Sequence, residues 1–122
     1  KVDHTIFWRR LSHAVAGGDF EPVRDLFLDR AALDGWLAPY RDRISGQAAE
    51  PTGARMLQTN PKFVLRNHLG ELAIRAAQTK DFSQVAQLLS LLQSPFDEHP
   101  DFESHADFPP AWADQIEISC SS

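Results

Sequence analysis

The stretch that most constrains the fold is NPKFVLRNHLGELAIRAAQ, residues 60–78. Leu65, Leu69, Leu72, Ala73 and Ala76 recur at helical spacing on one side, while Phe63, Ile74 and Ala77 carry apolar surface onto other faces. A helix so broadly apolar predicts neighbours on more than one side. Asn60 reads as its N-cap and Pro61 as its first helical residue. The pairing supplies an acceptor for a free N–H and removes a donor that would have gone unsatisfied. Gly70 lowers helix propensity and points to close approach of another backbone. Glu71 precedes Arg75 by four, the favourable order for a surface pair, and marks a wet edge. Arg66 and Asn67 inside such a helix need hydrogen-bond partners. Those are either an internal network clamping residues 45–59, or a ligand or adjoining domain. The expectation is the central helix of a small all-α bundle.

The remaining segments support about five helices. Residues 3–16 place Phe7, Leu11, Ala14 and Val15 on one face, and Gly17-Gly18 end the run. Asp19 reads as the cap of a second helix with Pro22 in its first turn and Val23, Leu26 and Phe27 inward. Leu33, Trp36, Leu37, Tyr40 and Ile44 form a third stripe, in which Gly35 and Pro39 predict a kink or an early stop. Residues 45–59 read as a polar connection with at most one helical turn near Met56. Asp81 reads as the cap of a last helix holding Val85, Leu88, Leu89 and Leu92, with Gln84 in capping-box position.

Residues 94–122 differ in texture. Pro95, Pro100, Pro109 and Pro110 interrupt any helical period, so an extended arm is expected, pinned by Phe96, Phe102, Phe108 and Trp112. Ile116 and Ile118 alternate with polar residues, which fits a short strand or extended end. One domain results, a bundle over 1–93 with the arm of 94–122 packed on it. There is also an internal echo: AVAGGDFEPVRDLF (14–27) matches AAQTKDFSQVAQLL (76–89), with Asp19/Asp81, Phe20/Phe82, Val23/Val85 and Leu26/Leu88 in register. Two units make a repeated helical hairpin rather than a solenoid.

Charge narrows the function classes. Residues 1–60 hold eight Lys/Arg and eight Asp/Glu, whereas residues 81–122 hold eight acids and no Lys or Arg. That distribution lacks the clustered cations of a nucleic-acid surface and suits a basic partner or another part of the same polypeptide. Arg9-Arg10 and Arg41/Arg43 are balanced by nearby acids and read as a solvated face. No apolar run approaches a membrane span and no leader opens the chain. A single cysteine, Cys120, excludes an internal disulfide and fits a reducing, cytoplasmic setting.

Catalytic motifs are absent from the sequence. The Asp-Phe pairs at 19, 81, 101 and 107 never continue to Gly, and neither a Gly-rich phosphate loop nor a G-x-S-x-G elbow is present. The acid and histidine run 97–107, with His99 and His105, is the best metal candidate, but it lacks a recognised ligand spacing and a solvated acidic loop accounts for it. His4, His13 and His68 read as surface or structural histidines. Cys120 near the end of an extended arm is either an incidental thiol or a reactive one.

NPKFVLRNHLGELAI, then KDFSQVAQLLSLLQSPFDEHP, then FPPAWADQIEISCSS, resemble the C-terminal region of the selenoprotein O family. The segments FWRRL and YRDRI are similar to it as well. The resemblance implies a kinase-like parent that binds ATP with magnesium and transfers AMP to protein hydroxyls. It implies that the nucleotide-binding and catalytic residues lie upstream, so that this piece has no cofactor of its own and is inactive alone. Some animal members carry selenocysteine at the position of Cys120, which implies a redox role, with a disulfide partner elsewhere in the full chain. Asn60, Pro61, Arg66 and Asn67 fall in the matched run and are expected to serve structure or interdomain contact. The implied partners are the upstream kinase-like domain and the parent's protein substrates, with neither nucleic acid nor membrane. The competing reading is a stand-alone helical interaction module whose acidic tail binds a basic partner.

Overall fold

The computed structural model describes residues 2–115 of the chain, and its described residues are all-α: six α-helices and two short 3-10 segments, with no strand among them. Contacts divide the chain into two compact units, Lys1–Lys62 and Phe63–Ser122. The boundary falls inside the stretch that the sequence reads as one helix.

The first unit contains α1 (His4–Gly17), α2 (Glu21–Arg24), α3 (Arg30–Ile44) and α4 (Ala49–Thr59). Helix α1 begins at Asp3, whose carboxylate accepts from the Ile6 amide at 3.0 Å, and ends at Gly18 with φ of 84°. That left-handed angle strains any residue with a Cβ, so the glycine is suited to the stop. Its predicted face is the core: Phe7, Leu11, Ala14 and Val15 are all buried, and Phe7, Leu11 and Ala14 cluster with Val23, Leu33 and Leu37. Helix α2 stops after one turn with Val23 fully buried and Pro22 in the first turn, as expected.

Helix α3 corrects one expectation. It runs unbroken through Pro39. Proline removes the bond to the carbonyl four residues back, which is that of Gly35. Both residues are exposed, so water can satisfy the freed carbonyl while Leu33 and Leu37, on the inner side, stay packed. Helix α4 corrects another, since residues 49–59 are a helix rather than a polar connection. Pro51 is accommodated in its first turn, and Gly53 serves the contact with α1. A Cβ built at Gly53 would stand 2.4 Å from the Ala16 Cβ and 2.7 Å from its backbone. Only glycine allows that approach, and the residues that look like breakers in sequence are what let two helices touch.

The expected helix over 60–78 begins instead at Asn67: α5 is Asn67–Gln78. Asn60 closes α4, its amide and side-chain nitrogen both donating to the Met56 carbonyl at 2.8 and 3.0 Å. The residue before a proline is pushed toward extended backbone, and Asn60 has φ of -109° and ψ of 106°. Pro61 therefore follows a helix end instead of opening a helix. The apolar run does not make a buried central helix either. Ala73 and His68 are buried on α5, whereas Leu72 and Ile74 are exposed, as is Leu65 ahead of it. The predicted Glu71–Arg75 pair is present at 2.9 Å.

Helix α5 packs with α6 (Ser83–Gln93). Between them Lys80 takes a left-handed φ of 65°. Its amide donates to the Ala77 carbonyl and that of Asp81 to Ala76, at 2.9 and 3.0 Å. This double bond pattern terminates a helix usually with glycine in the left-handed place. The Asp81 carboxylate accepts from the Ser83 amide and hydroxyl, an Asx turn that starts α6. Residues 100–106 and 111–115 are 3-10 turns where an extended arm is predicted. Prolines exclude the α-helical ladder at those points yet tolerate single 3-10 turns. The strand expected at 116–119 lies outside the described residues.

Candidate functional site

Two arrangements of polar groups stand out, one in each unit. In the first, Arg9 is buried on α1 and its guanidinium donates to the carbonyls of Leu57 and Asn60 at 2.9 and 3.0 Å. The last carbonyls of a helix have no partner within it. Arg9 therefore closes the end of α4 and locks it to α1, in place of the solvated role that its charge pattern suggests. Arg10 beside it donates to the Pro22 carbonyl at 2.8 Å. Asn60 is thus bonded within its unit through three of its own atoms, while Pro61 is half-buried.

In the second unit, His68 on α5 is buried and lies edge-on to Trp112, with centroids 6.1 Å apart and planes at 88°. The Arg75 guanidinium stands 5.9 Å from the centroid of the same ring. Trp112 thereby pins the proline-rich segment to α5, as its apolar character predicts. Burial, with the charges of Arg66 and His105 adding to it, pushes the His68 pKa down. Burial also lowers that of His105. The Nδ1 atoms of both rings are buried without hydrogen-bond partners. A bare ring acceptor is the tolerable form of that state, because a proton there would add a charge that burial opposes. His99 sits at a left-handed φ of 41°, its Nε2 2.8 Å from the Ser94 carbonyl and its ring 5.2 Å from that of Phe63. It is engaged in local structure.

Arg66 is half-buried and precedes α5, and Asn67 is the exposed first residue of that helix. They are not a polar pair in mid-helix, and they belong to a different unit from Asn60 and Pro61. Cys120 lies outside the described residues. Among the described residues no three His, Cys, Asp or Glu side chains stand close enough to hold a metal ion. The run 97–107 therefore does not converge, and His4 and His13 are exposed on α1.

What the described residues do offer is apolar surface. A cleft of about 460 Å³ in the first unit is lined by Val2, Phe7, Trp8, Phe27, Leu33 and Trp36, among others. Trp36 stacks on Tyr40 at 5.3 Å, and Leu28 nearby in sequence is fully exposed. On α6, Leu88 and Leu91 are buried while Val85 and Leu89 are exposed. Such surfaces suit contact with other protein far better than chemistry. The sequence missed the Arg9 clamp because a guanidinium at helical spacing carries no sign of its partners. The pairing of His68 with Trp112 joins residues far apart in the chain and is equally silent.

No helix among the described residues is long and apolar enough to cross a membrane. No family model matches the chain. Individual proteins do. The chain is 61% identical over 122 residues to a protein nucleotidyltransferase YdiU of Albidiferax ferrireducens and 60% identical over 122 residues to one of Variovorax paradoxus. It is 54% identical over 126 residues to one of Cupriavidus pinatubonensis. These matches take in 99–100% of this chain but only 24–25% of each relative. The chain spans about a quarter of the length of the curated relatives it matches, and that quarter is C-terminal.

Proposed function

Since the chain belongs to the selenoprotein O (YdiU) family, as a C-terminal region of it, we propose that it is the accessory domain of a protein adenylyltransferase. The rest of the polypeptide, kinase-like in this reading, binds ATP and magnesium and transfers AMP to protein hydroxyls. The observation that carries the proposal is identity of 50–61% along the whole chain to proteins about four times as long that are named protein nucleotidyltransferases. Nothing among the described residues fits the nucleotide or its metal. They hold neither a metal-binding cluster nor a Gly-rich loop opening a helix, so no step of the transfer is assigned to this domain. Its work is packing against the remainder of the chain through the apolar surfaces that it leaves open. Cys120 then responds to redox state by pairing with a cysteine elsewhere in the polypeptide, since this chain has no second one. That step joins two thiols as a disulfide, with two electrons and two protons passing to a thiol–disulfide oxidant.

The test incubates the full-length protein, and a form ending just before Lys1, with ATP and magnesium under reducing and oxidising conditions. AMP adducts are read by intact-protein mass. The full-length protein is expected to modify itself or a test protein, and Cys120→Ser to abolish the difference between the two redox conditions. Failure of both forms to transfer AMP ends the adenylyltransferase reading. A redox response unchanged by Cys120→Ser ends the role of the cysteine.

A further inference from the structure

Helix α6 carries two apolar stripes, and its own unit uses one of them. Leu88 and Leu91 are buried; Val85 and Leu89, with Phe82 at the helix start, are 43%, 56% and 61% exposed. At about 100° per residue, positions 82, 85 and 89 fall within roughly 60° of one another. They form a single stripe along the helix.

The internal echo shows what such a stripe looks like when covered. Asp19 and Asp81 make the same turn, each carboxylate accepting at 3.0 Å from the amide two residues on. The phenylalanines that follow have nearly the same backbone, -96° and 0° at Phe20 against -99° and 9° at Phe82. In the first copy the Arg41 guanidinium lies 4.4 Å over the Phe20 ring, and Val23 is fully buried in a cluster with Leu33 and Leu37. Leu33, Leu37 and Arg41 are spaced i, i+4, i+8, so one face of α3 supplies part of that cover, beside Phe7, Leu11 and Ala14 of α1. In the second copy no helix among the described residues covers Phe82 and Val85 in that way, and both stay exposed.

We propose that Phe82, Val85 and Leu89 are the seat of a helix from the polypeptide preceding Lys1. That helix presents two aliphatic side chains four residues apart to Val85 and Leu89, and a Lys or Arg four residues further on to the face of Phe82. Three observations select this occupant. The relatives are about four times as long as this chain, so most of the protein lies before it. The covered copy supplies the template. Residues 81–122 carry eight acids and no Lys or Arg, so a cationic occupant is favoured over a second copy of the same surface. The inference rests on reading the chain as the C-terminal part of a longer protein.

The experiment places a photoreactive benzophenone amino acid at Leu89 of the full-length protein, with Gln87, exposed on another side of α6, as the control position. Cross-linked peptides are identified after irradiation at two protein concentrations. The expected result is an intramolecular cross-link from position 89, at both concentrations, to a segment before Lys1 with the i, i+4, i+8 pattern, at least ten-fold above that from position 87. Equal yield at both positions, a cross-link within residues 1–62, or one that appears only at high concentration and joins two copies, overturns the proposal. Cross-linking needs no turnover. A protein that cross-links as expected yet transfers no AMP therefore refutes the enzymatic reading and leaves the docking face standing.

Discussion

Arg9 illustrates how far a single side chain departs from what its neighbours in sequence suggest. It stands in an Arg-Arg pair beside acids, yet it is buried and serves two carbonyls at the end of α4. Arg9→Met keeps the bulk of the stem and removes the donors, leaving those carbonyls unserved. A loss of about 1.5–3 kcal/mol is expected, read as a lower urea midpoint at unchanged slope, with Arg9→Lys losing less because it keeps a charged donor. His68 gives a pH dependence of definite sign. Burial holds its pKa below the ordinary value of 6.5, so the unfolded chain binds the proton more readily than the folded one. The contribution of His68 to stability is therefore complete above pH 6.5 and falls as pH drops through 6.5 toward the lower folded value. His105 acts in the same direction. His68→Gln, which does not titrate, is expected to flatten the fall in melting temperature between pH 7.5 and 5; an unchanged slope would assign that dependence elsewhere.

Among the elements, the helix pairs α1–α4 and α5–α6 set the two units, and each depends on a device absent from helix-propensity reasoning. Gly53 lets α4 approach α1 to the point where a Cβ would meet both the side chain and the backbone of Ala16. In an exposed helix Gly→Ala raises stability by about 1 kcal/mol, whereas overpacking costs about 1–3 kcal/mol. The clash is with backbone, so the second effect wins. Gly53→Ala is expected to lower stability by about 1–2 kcal/mol in urea unfolding, and Ala16→Gly in the same chain to restore only part of it. The two copies of the helix–turn–Asp-Phe motif differ in an instructive way. Gly18 ends α1 in a left-handed conformation, and Lys80 takes the corresponding place after α5. The left-handed backbone is what the two copies share, while the bonds differ: the Gly18 amide donates to the Ala14 carbonyl, the Lys80 amide to Ala77 and the Asp81 amide to Ala76.

For the molecule as a whole, the sequence by itself determined the helical class, the core face of α1, the inward Val23 of α2, Leu33 and Leu37 of the α3 stripe (though not the exposed Trp36), the Asp-started turn before α6 and the Glu71–Arg75 pair. Each follows from spacing or capping within a few residues, which the chain carries locally. Membership of a family of longer proteins was legible too, because the terminal motifs are long and unusual. The sequence was misleading over residues 45–66. There Pro51, Gly53 and Pro61 have local preferences that tertiary contacts redirect: a proline inside a first turn, a glycine chosen for approach, and a proline after a helix end. Only the tertiary structure decided that Arg9 is a clamp, that His68 lies against Trp112, and that Asn60 and Arg66 belong to different units. Those relations join residues across the chain, and their energies depend on burial, which a linear pattern does not specify. The breadth of the apolar run at 60–78 was read as a demand for neighbours on several sides. The exposure of Leu65, Leu72 and Ile74 shows that demand unmet among the described residues, because apolar periodicity states that a face is to be covered and says nothing of what covers it.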